Sequence, residues 1–265
     1  MTKVALIPSS WSTQYTGFFT ILRKESTRII RIWSQTLLPT VITTALYFLI
    51  FGKILGERIS LDNGIHFINY IIPGLIMMAV LNNAYSNTSS VVFGLKFSGS
   101  IDEEIISPLW ASTILLGHVL GGVLRGLFVG MLVLFLSMCF AEVTIISPFL
   151  LFITALLTAF LFSLAGFFNA LFAKKFDDIA LIPSFVLTPL TYLGGVFYSI
   201  NQIPEMWQTV ALCNPILYIV NSARFAMLGT SDINYLYTFY VLIPLIIAMS
   251  RLCLYMINDA RRLKL

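Results

Sequence analysis

A chain of 265 residues that is 58% hydrophobic and only 11% charged, with a mean hydropathy of +0.91, is not a water-soluble domain, since globular chains carry roughly 25% charged residues. Its net charge is +4, and apolar stretches near 20 residues recur from end to end, so it is expected to be polytopic rather than held by one anchor.

The first 35 residues are polar or amphipathic and lack the apolar run of a cleavable signal peptide. Within them, residues 17–35 are expected to form a helix with Phe18, Leu22, Ile29 and Trp33 on one side and Arg23, Lys24, Arg28 and Arg31 on the other. A basic amphipathic helix of this kind lies along a lipid surface with its Trp at head-group depth. Six membrane spans follow, at about 36–56, 67–93, 113–139, 147–172, 179–198 and 235–257.

The second half of span two is polar, running through Asn82, Asn83, Tyr85, Ser86, Asn87, Thr88, Ser89 and Ser90. Such side chains avoid lipid tails, so they are expected to bond between helices or to line a transport path. Span three carries Gly122, Gly126 and Gly130, with Gly117 and Gly121 before them. Small residues at this spacing let a helix approach closely, from the same chain or from a second copy. Arg125 stands midway along that span, where a charge costs ~2.5–3.5 kcal/mol on insertion scales. It is expected to face the bundle and pair with a carbonyl or with the span-two asparagines, as a clamp or as a contact for an anionic substrate.

Between spans two and three, Ser100 can cap a short helix whose first turn holds Asp102, Glu103 and Glu104 and which Pro108 ends. With Ile105, Ile106, Leu109 and Trp110 it forms an amphipathic element over about 100–110, suited to a partner's groove. Span five carries Pro183 and Pro189, which loosen it, and leaves through Tyr192, Gly194 and Gly195. The apolar region at about 201–229 is opened by Pro204 and cut at Asn214-Pro215. Each half reaches only ~15 Å as a helix, about half of a ~30 Å hydrocarbon core. A re-entrant pair follows from that length, tolerated where protein covers its ends.

Charge sets the expected orientation. With the N-terminus inside, Lys3, Arg23, Lys24, Arg28, Arg31, Lys96, Lys174, Lys175, Arg261, Arg262 and Lys264 are interior, against Lys53, Arg58 and Arg224 outside. Both termini are therefore expected in the cytoplasm. No phosphate-binding G-x-x-x-x-G-K-[ST] motif, H-E-x-x-H motif or nucleophile elbow is present, so no catalytic residue, metal site or cofactor is expected on this chain, and no nucleic-acid partner. Cys139, Cys213 and Cys253 lack metal or redox spacing and read as small packing residues; a Cys139–Cys213 disulfide near the outer face stays open.

The order Gly195 to Tyr198, Ile203 to Trp207 as I-P-x-x-W, Asn214-Pro215, Tyr218 and Arg224, together with D-E-E-I-I-S-P at 102–108, resembles the membrane permeases of ABC-2 type transporters, closest to the YadH-type bacterial inner-membrane permeases. The resemblance covers nearly the whole chain. It implies an all-α polytopic fold: an N-terminal segment 1–35 carrying the interface helix, with Arg23, Lys24, Arg28, Arg31 and Trp33, then a transmembrane domain 36–265 of the type V exporter kind. It further implies a separate cytoplasmic ABC ATPase in two copies, which binds the ATP and Mg, a second copy of this chain, and contact with lipid in a bacterial inner membrane. Glu103, Glu104, Ile106 and Pro108 match the coupling-helix pattern. Asn82, Asn83, Tyr85, Arg125, Pro189 and Tyr192 are pathway candidates; Trp207, Asn214, Pro215, Tyr218 and Arg224 are candidates for an exit gate. The bland alternative for the outer aromatics and Arg224 is an interfacial belt with a snorkelling arginine. Export of a lipid-like or amphipathic substrate is the leading expectation, with polysaccharide or glycolipid export as one alternative and an ATP-independent scaffold as another.

Overall fold

The computed structural model describes residues 10–54 and 66–264, with the side chains of all of these but 53, 54 and 261–264. Lys3 and Arg58, and the side chains of Lys53, Arg261, Arg262 and Lys264, which enter the charge balance, lie outside the described residues, as do residues 1–9 and 55–56 of the expected segments.

The described chain is helical throughout its core. An N-terminal helix α1 (Trp11–Arg31) precedes α2 (Trp33–Tyr47), which continues as a π-helical turn, Phe48–Ile54. Next come α3 (Phe67–Phe97), the short α4 (Ser100–Ile106), α5 (Ala111–Ser137) and α6 (Pro148–Phe172). Then α7 (Phe176–Ile182) and α8 (Thr188–Leu193) are joined by a π-helical stretch, Pro183–Leu187. The chain ends with α9 (Glu205–Leu212), α10 (Pro215–Leu228) and α11 (Leu236–Lys264). Six segments are long and apolar enough to cross a membrane: Trp33–Gly52, Phe67–Phe97, Ala111–Ser137, Pro148–Phe172, Phe176–Leu193 and Leu236–Ala260. The pair α9–α10 bends by 90°, as expected from the Asn214-Pro215 break.

Several expected boundaries change; among them, the second span runs on to Phe97 and not to 93, and the fifth covers Phe176–Leu193 and not 179–198. The amphipathic helix runs over 11–31 and not 17–35, because the chain kinks at Ile32 (φ −108°, ψ 24°) and Trp33 starts α2. Trp33 therefore belongs to the first span, not to the interface helix. The short helix between spans two and three ends at Ile106; the residues from Ser107 to Trp110 leave it in non-helical conformation, and Trp110 is extended as the cap of α5.

The axis of the bundle is α3, whose most apolar window is 78% buried, whereas those of the first, fifth and sixth spans are only 17%, 11% and 17% buried. The central helix is thus enclosed by its own chain, and the three outer spans present their faces to something else. Close approach explains the enclosure. A Cβ on Gly126 would meet Ala84 Cβ and the Val80 carbonyl at 2.9 Å; one on Gly122 would collide with Ser163 and Thr88, and one on Gly166 with the Tyr85 carbonyl. Gly117 and Gly121 face elsewhere, against Ile21 and Glu25 of α1 at 2.8 Å. The glycines of α5 therefore serve three partners of the same chain, α3, α6 and α1. Where α3, α5 and α6 meet, the Thr88 and Ser163 hydroxyls bond at 2.7 Å, and Ser163 donates to the Val119 carbonyl at 2.9 Å.

Replacing Gly126 by Leu is expected to lower the melting temperature of the detergent-solubilised protein clearly, as overpacking costs about 1–3 kcal/mol or more. Gly94 has nothing within 4 Å of the same position, so Gly94→Ala should leave the melting temperature unchanged or slightly raised. Equal behaviour of the two variants would show that the glycine face is not packed.

Candidate functional site

One face of α1 turns inward. Gln14, Ile21 and Glu25 are buried, at helical spacings of seven and four, and they pack along the first half of α5. Gln14 acts as a staple: its Nε2 donates to the Pro108 carbonyl at 2.9 Å, and its Oε1 accepts from the Trp110 amide and the Thr113 hydroxyl, both at 2.8 Å. Trp11 stacks edge-on against Trp110, with ring centroids 4.7 Å apart. The segment that leaves α4 is thereby fastened to α1.

Helix α4 has two sides. Ile101 and Ile105 are buried, whereas Glu103, Ile106 and Pro108 are exposed. A groove of about 620 Å³ runs between α1 and α4, lined by Thr16, Thr20, Lys24, Glu103, Glu104 and Pro108 among others. Of the four coupling residues expected from sequence, three face outward and Glu104 faces inward. Its Oε2 lies 2.9 Å from His118 Nε2, and Lys24 stands 3.8 Å away. Burial alone would raise the Glu104 carboxyl, but the His118 hydrogen bond and charge, helped by Lys24, outweigh it and hold the group below its ordinary value.

His118 has a second carboxylate on its other side, with Nδ1 3.4 Å from Glu25 Oε1. From Glu25 the polar contacts continue. Arg28 Nε is 3.7 Å from Glu25, and its Nη2 donates to Asn87 Oδ1 at 2.7 Å. Asn87 Oδ1 also accepts from Arg125 at 3.3 Å, Arg125 donates to Asn83 Oδ1 at 3.4 Å, and Asn83 Nδ2 donates to Thr40 at 3.3 Å. A continuous line of side chains thus joins α4, α1, α5, α3 and α2. Arg28, expected on the basic side of the interface helix opposite its apolar residues, reaches into the bundle, where burial lowers its affinity for the proton and Glu25 partly restores it.

The pathway candidates separate. Asn82 and Asn83 line a cavity of about 200 Å³ between α2 and α3, with Thr40, Thr43, Tyr47, Leu75 and Met78. Arg125 stands behind Asn83, as expected. Tyr85 does not line a path: it is 1% exposed, inside the core against α6. Pro189 and Tyr192 are exposed on the fifth span, and Tyr192 joins Tyr47, Phe51 and Phe197 in an aromatic cluster at the far end of the first span.

At that far end the gate candidates also separate. Asn214 caps α10 by accepting from the Ile216 amide at 3.0 Å while its Nδ2 donates to the Leu190 carbonyl at 2.6 Å, and Pro215 occupies the first turn. Arg224 is 1% exposed, so it does not snorkel. Its guanidinium covers the Tyr70 ring at 3.8 Å, donates to the Gly195 carbonyl at 2.7 Å and sits 3.6 Å from Asp232. Gly195 has φ +70°, a conformation open to glycine without strain, and it turns that carbonyl toward Arg224. These three residues are fasteners of the re-entrant pair. Trp207 is half exposed, and Tyr218 donates to the Leu212 carbonyl at 2.8 Å, leaving these two nearest a surface. All three cysteines are free.

Gln14, Glu25 and His118 were not singled out from sequence. One signal was available: His118 and Arg125 stand seven residues apart, on one face of α5, beside the glycines that admit α1 and α3.

The family model described as ABC-2 type transporter matches residues 16–228 of the chain. The inner membrane transport permease YadH of Escherichia coli is 48% identical over 244 residues, covering 92% of this chain and 95% of that one. The permease of that name from Shigella flexneri matches to the same extent, and nodulation protein J of Sinorhizobium fredii is 24% identical over 190 residues, 70% of each chain.

The lowered Glu104 carboxyl carries a pH signature. A depressed carboxylate adds stability that is present above its ordinary value of 4.5 and is lost as pH falls through the folded value below it. Protection of the α4 amides, taken relative to the intrinsic exchange rate at each pH, is therefore expected to fall below pH 4.5 in the wild type, and Glu104→Gln should be less protected already at neutral pH with a flatter acid dependence. Identical profiles would show that Glu104 does not hold α4.

Proposed function

The chain belongs to the ABC-2 type transporter family as a multi-pass transport permease, and we propose that it exports a lipid-like or amphipathic substrate across a bacterial inner membrane, driven by a separate cytoplasmic ATPase. Permeases of this family work with an ABC ATPase. The observation that carries the reading is the two-sided α4: an exposed rim of Glu103, Ile106 and Pro108 over an inner side tied through Glu104 to His118. An exposed apolar-acidic rim beside a groove offers a partner shape and charge. The inner ties mean that α4 cannot be displaced without taking α1 and the first half of α5 with it.

In this mechanism ATP closes two ATPase copies, each seated on one α4, and the docked helices move as rigid bodies with the elements bonded to them. ATP favours one arrangement because it binds that arrangement more tightly. The first and fifth spans, little buried within one chain, supply faces for a second copy related by two-fold symmetry, so that two halves enclose the path. The re-entrant pair forms the outer rim, with Trp207 and Tyr218 nearest the exit and Arg224 holding the pair in place. Lys24, Lys96, Lys174 and Lys175 stand toward the α4 end, which supports a cytoplasmic placement of that end. The uncharged lining of the cavity between α2 and α3, apolar at Pro39, Leu75 and Met78 and polar at Thr40, Thr43, Asn82 and Asn83, favours an amphipathic cargo.

The test is purification of the chain through a C-terminal tag in mild detergent. A stoichiometric ATPase subunit is expected with the wild type and is expected to be lost or strongly reduced with Glu103→Arg. Glu103 is the clean position, because changing Glu104 also removes the His118 contact. A stable homodimer without any nucleotide-binding partner after crosslinking would overturn the reading.

A further inference from the structure

Among the described residues, Arg125 is a buried cation without a counter-ion. It lies about 21 Å along α5, near the middle of the helix, and is 8% exposed. Its two terminal nitrogens reach only neutral oxygens, Asn87 Oδ1 at 3.3 Å and Asn83 Oδ1 at 3.4 Å. Among the described residues no carboxylate forms an ion pair with it, and the charged group that acts on it is another cation, Arg28. Arg28 donates to the same Asn87 oxygen at 2.7 Å. The one carboxylate nearby, Glu25, is 3.7 Å from Arg28 and is shared with His118.

Two guanidinium groups therefore converge on a single neutral amide oxygen. Around that point three buried donors make no hydrogen bond: Nε of Arg125, Nδ2 of Asn87, and Nε of Arg28, which faces Glu25 only at 3.7 Å. Like charges brought together out of water repel, and each orphaned donor has lost its hydration without replacement. A chain would gain by placing an acid here, and this one has placed asparagines.

We propose that Arg28, Asn87 and Arg125 form a binding site for the anionic group of an amphipath, a phosphate or a carboxylate held between the two guanidinium forks with the Asn87 amide as a further donor. The planar forks suit such a group. The Arg28 side chain is 25% exposed, which leaves an approach along the α1 edge. On the other side of Asn83 lies the cavity of about 200 Å³ with Pro39, Leu75 and Met78 in its wall, a place for an apolar tail. The identification of this anion as part of the cargo rests on the permease reading; the site itself does not.

The experiment follows melting of the purified protein in maltoside micelles, with its ATPase if one accompanies it, on titration with dioleoyl phosphatidylglycerol, dioleoyl phosphatidylcholine or inorganic phosphate. Phosphatidylglycerol is expected to raise the melting temperature saturably and phosphatidylcholine to leave it unchanged. Inorganic phosphate alone reproducing the shift would assign the site to a free anion, and its failure to do so assigns the site to an anionic lipid. Arg125→Gln should lose the response. Where that variant does not fold, Asn87→Asp replaces it: a carboxylate set between the two arginines should melt higher than the wild type and no longer respond. Equal shifts with the two lipids, or a full response retained in either variant, would overturn the proposal. ATPase co-purification is read separately, so failure of the anion site and failure of the permease reading are distinguishable.

Discussion

A side chain at hydrocarbon depth has no water to bond, so its polar groups must find partners on neighbouring helices. In this protein that requirement is met by bringing α3, α5 and α6 within glycine distance of one another. Gly122, Gly126 and Gly166 have no room for a Cβ against the facing helix. Only at that separation can Thr88 meet Ser163, and Arg125 reach Asn83 and Asn87. The close approach is thus the condition for the polar line through the bundle, and both are lost if the helices spread.

The same packing makes one end of the molecule mechanically continuous. Gln14 holds the chain leaving α4, His118 holds Glu104 from one side and Glu25 from the other, and Arg28 carries the line on to Asn87. Hydrogen bonds in a low-dielectric setting are strong and directional, and leaving one partner unmet is costly. A push on α4 is therefore passed to α1 and α5 as displacement of a body, not absorbed as bending of a loop. The far end is fastened differently: one buried arginine, Arg224, joins the start of α3, the turn at Gly195 and the loop at Asp232.

Much of this was legible in the sequence, for physical reasons. Span number and the half-length pair follow from apolar run length against membrane thickness, and from Pro204 and Asn214-Pro215 as breaks. Arg125 with the span-two asparagines follows from the cost of an unpaired charge in lipid. What was not legible is the direction in which α1 faces. Its wheel separates Phe18, Leu22 and Ile29 from the basic residues, but the buried positions are Gln14, Ile21 and Glu25, because Gly117 and Gly121 create the surface they pack on. A helical wheel sees one helix, whereas this contact is set by its neighbour. Glu104 was placed outward for the same reason: its partner His118 lies fourteen residues away on another element. Tyr85 was grouped with the polar run although its ring fills the core beside Gly166.

The two π-helical stretches fall in spans one and five, at Phe48–Ile54 and Pro183–Leu187, and these spans are among the least buried of the six. That coincidence has a physical basis. A helix locked on all sides by its own chain, as α3 is, keeps a regular backbone even with Pro73 inside it, since its neighbours fix its register. A helix with an open face has fewer contacts to lose, so proline or a widened turn costs less there. Widened turns are also frequent at functional positions. The molecule therefore divides into an ordered block of α3, α5, α6 and α10, which transmits displacement, and irregular first and fifth spans, where change of shape is cheapest; the equally open sixth span stays a regular helix. A membrane subunit that must move without unfolding requires that division, and here glycines make the block while prolines loosen the fifth span.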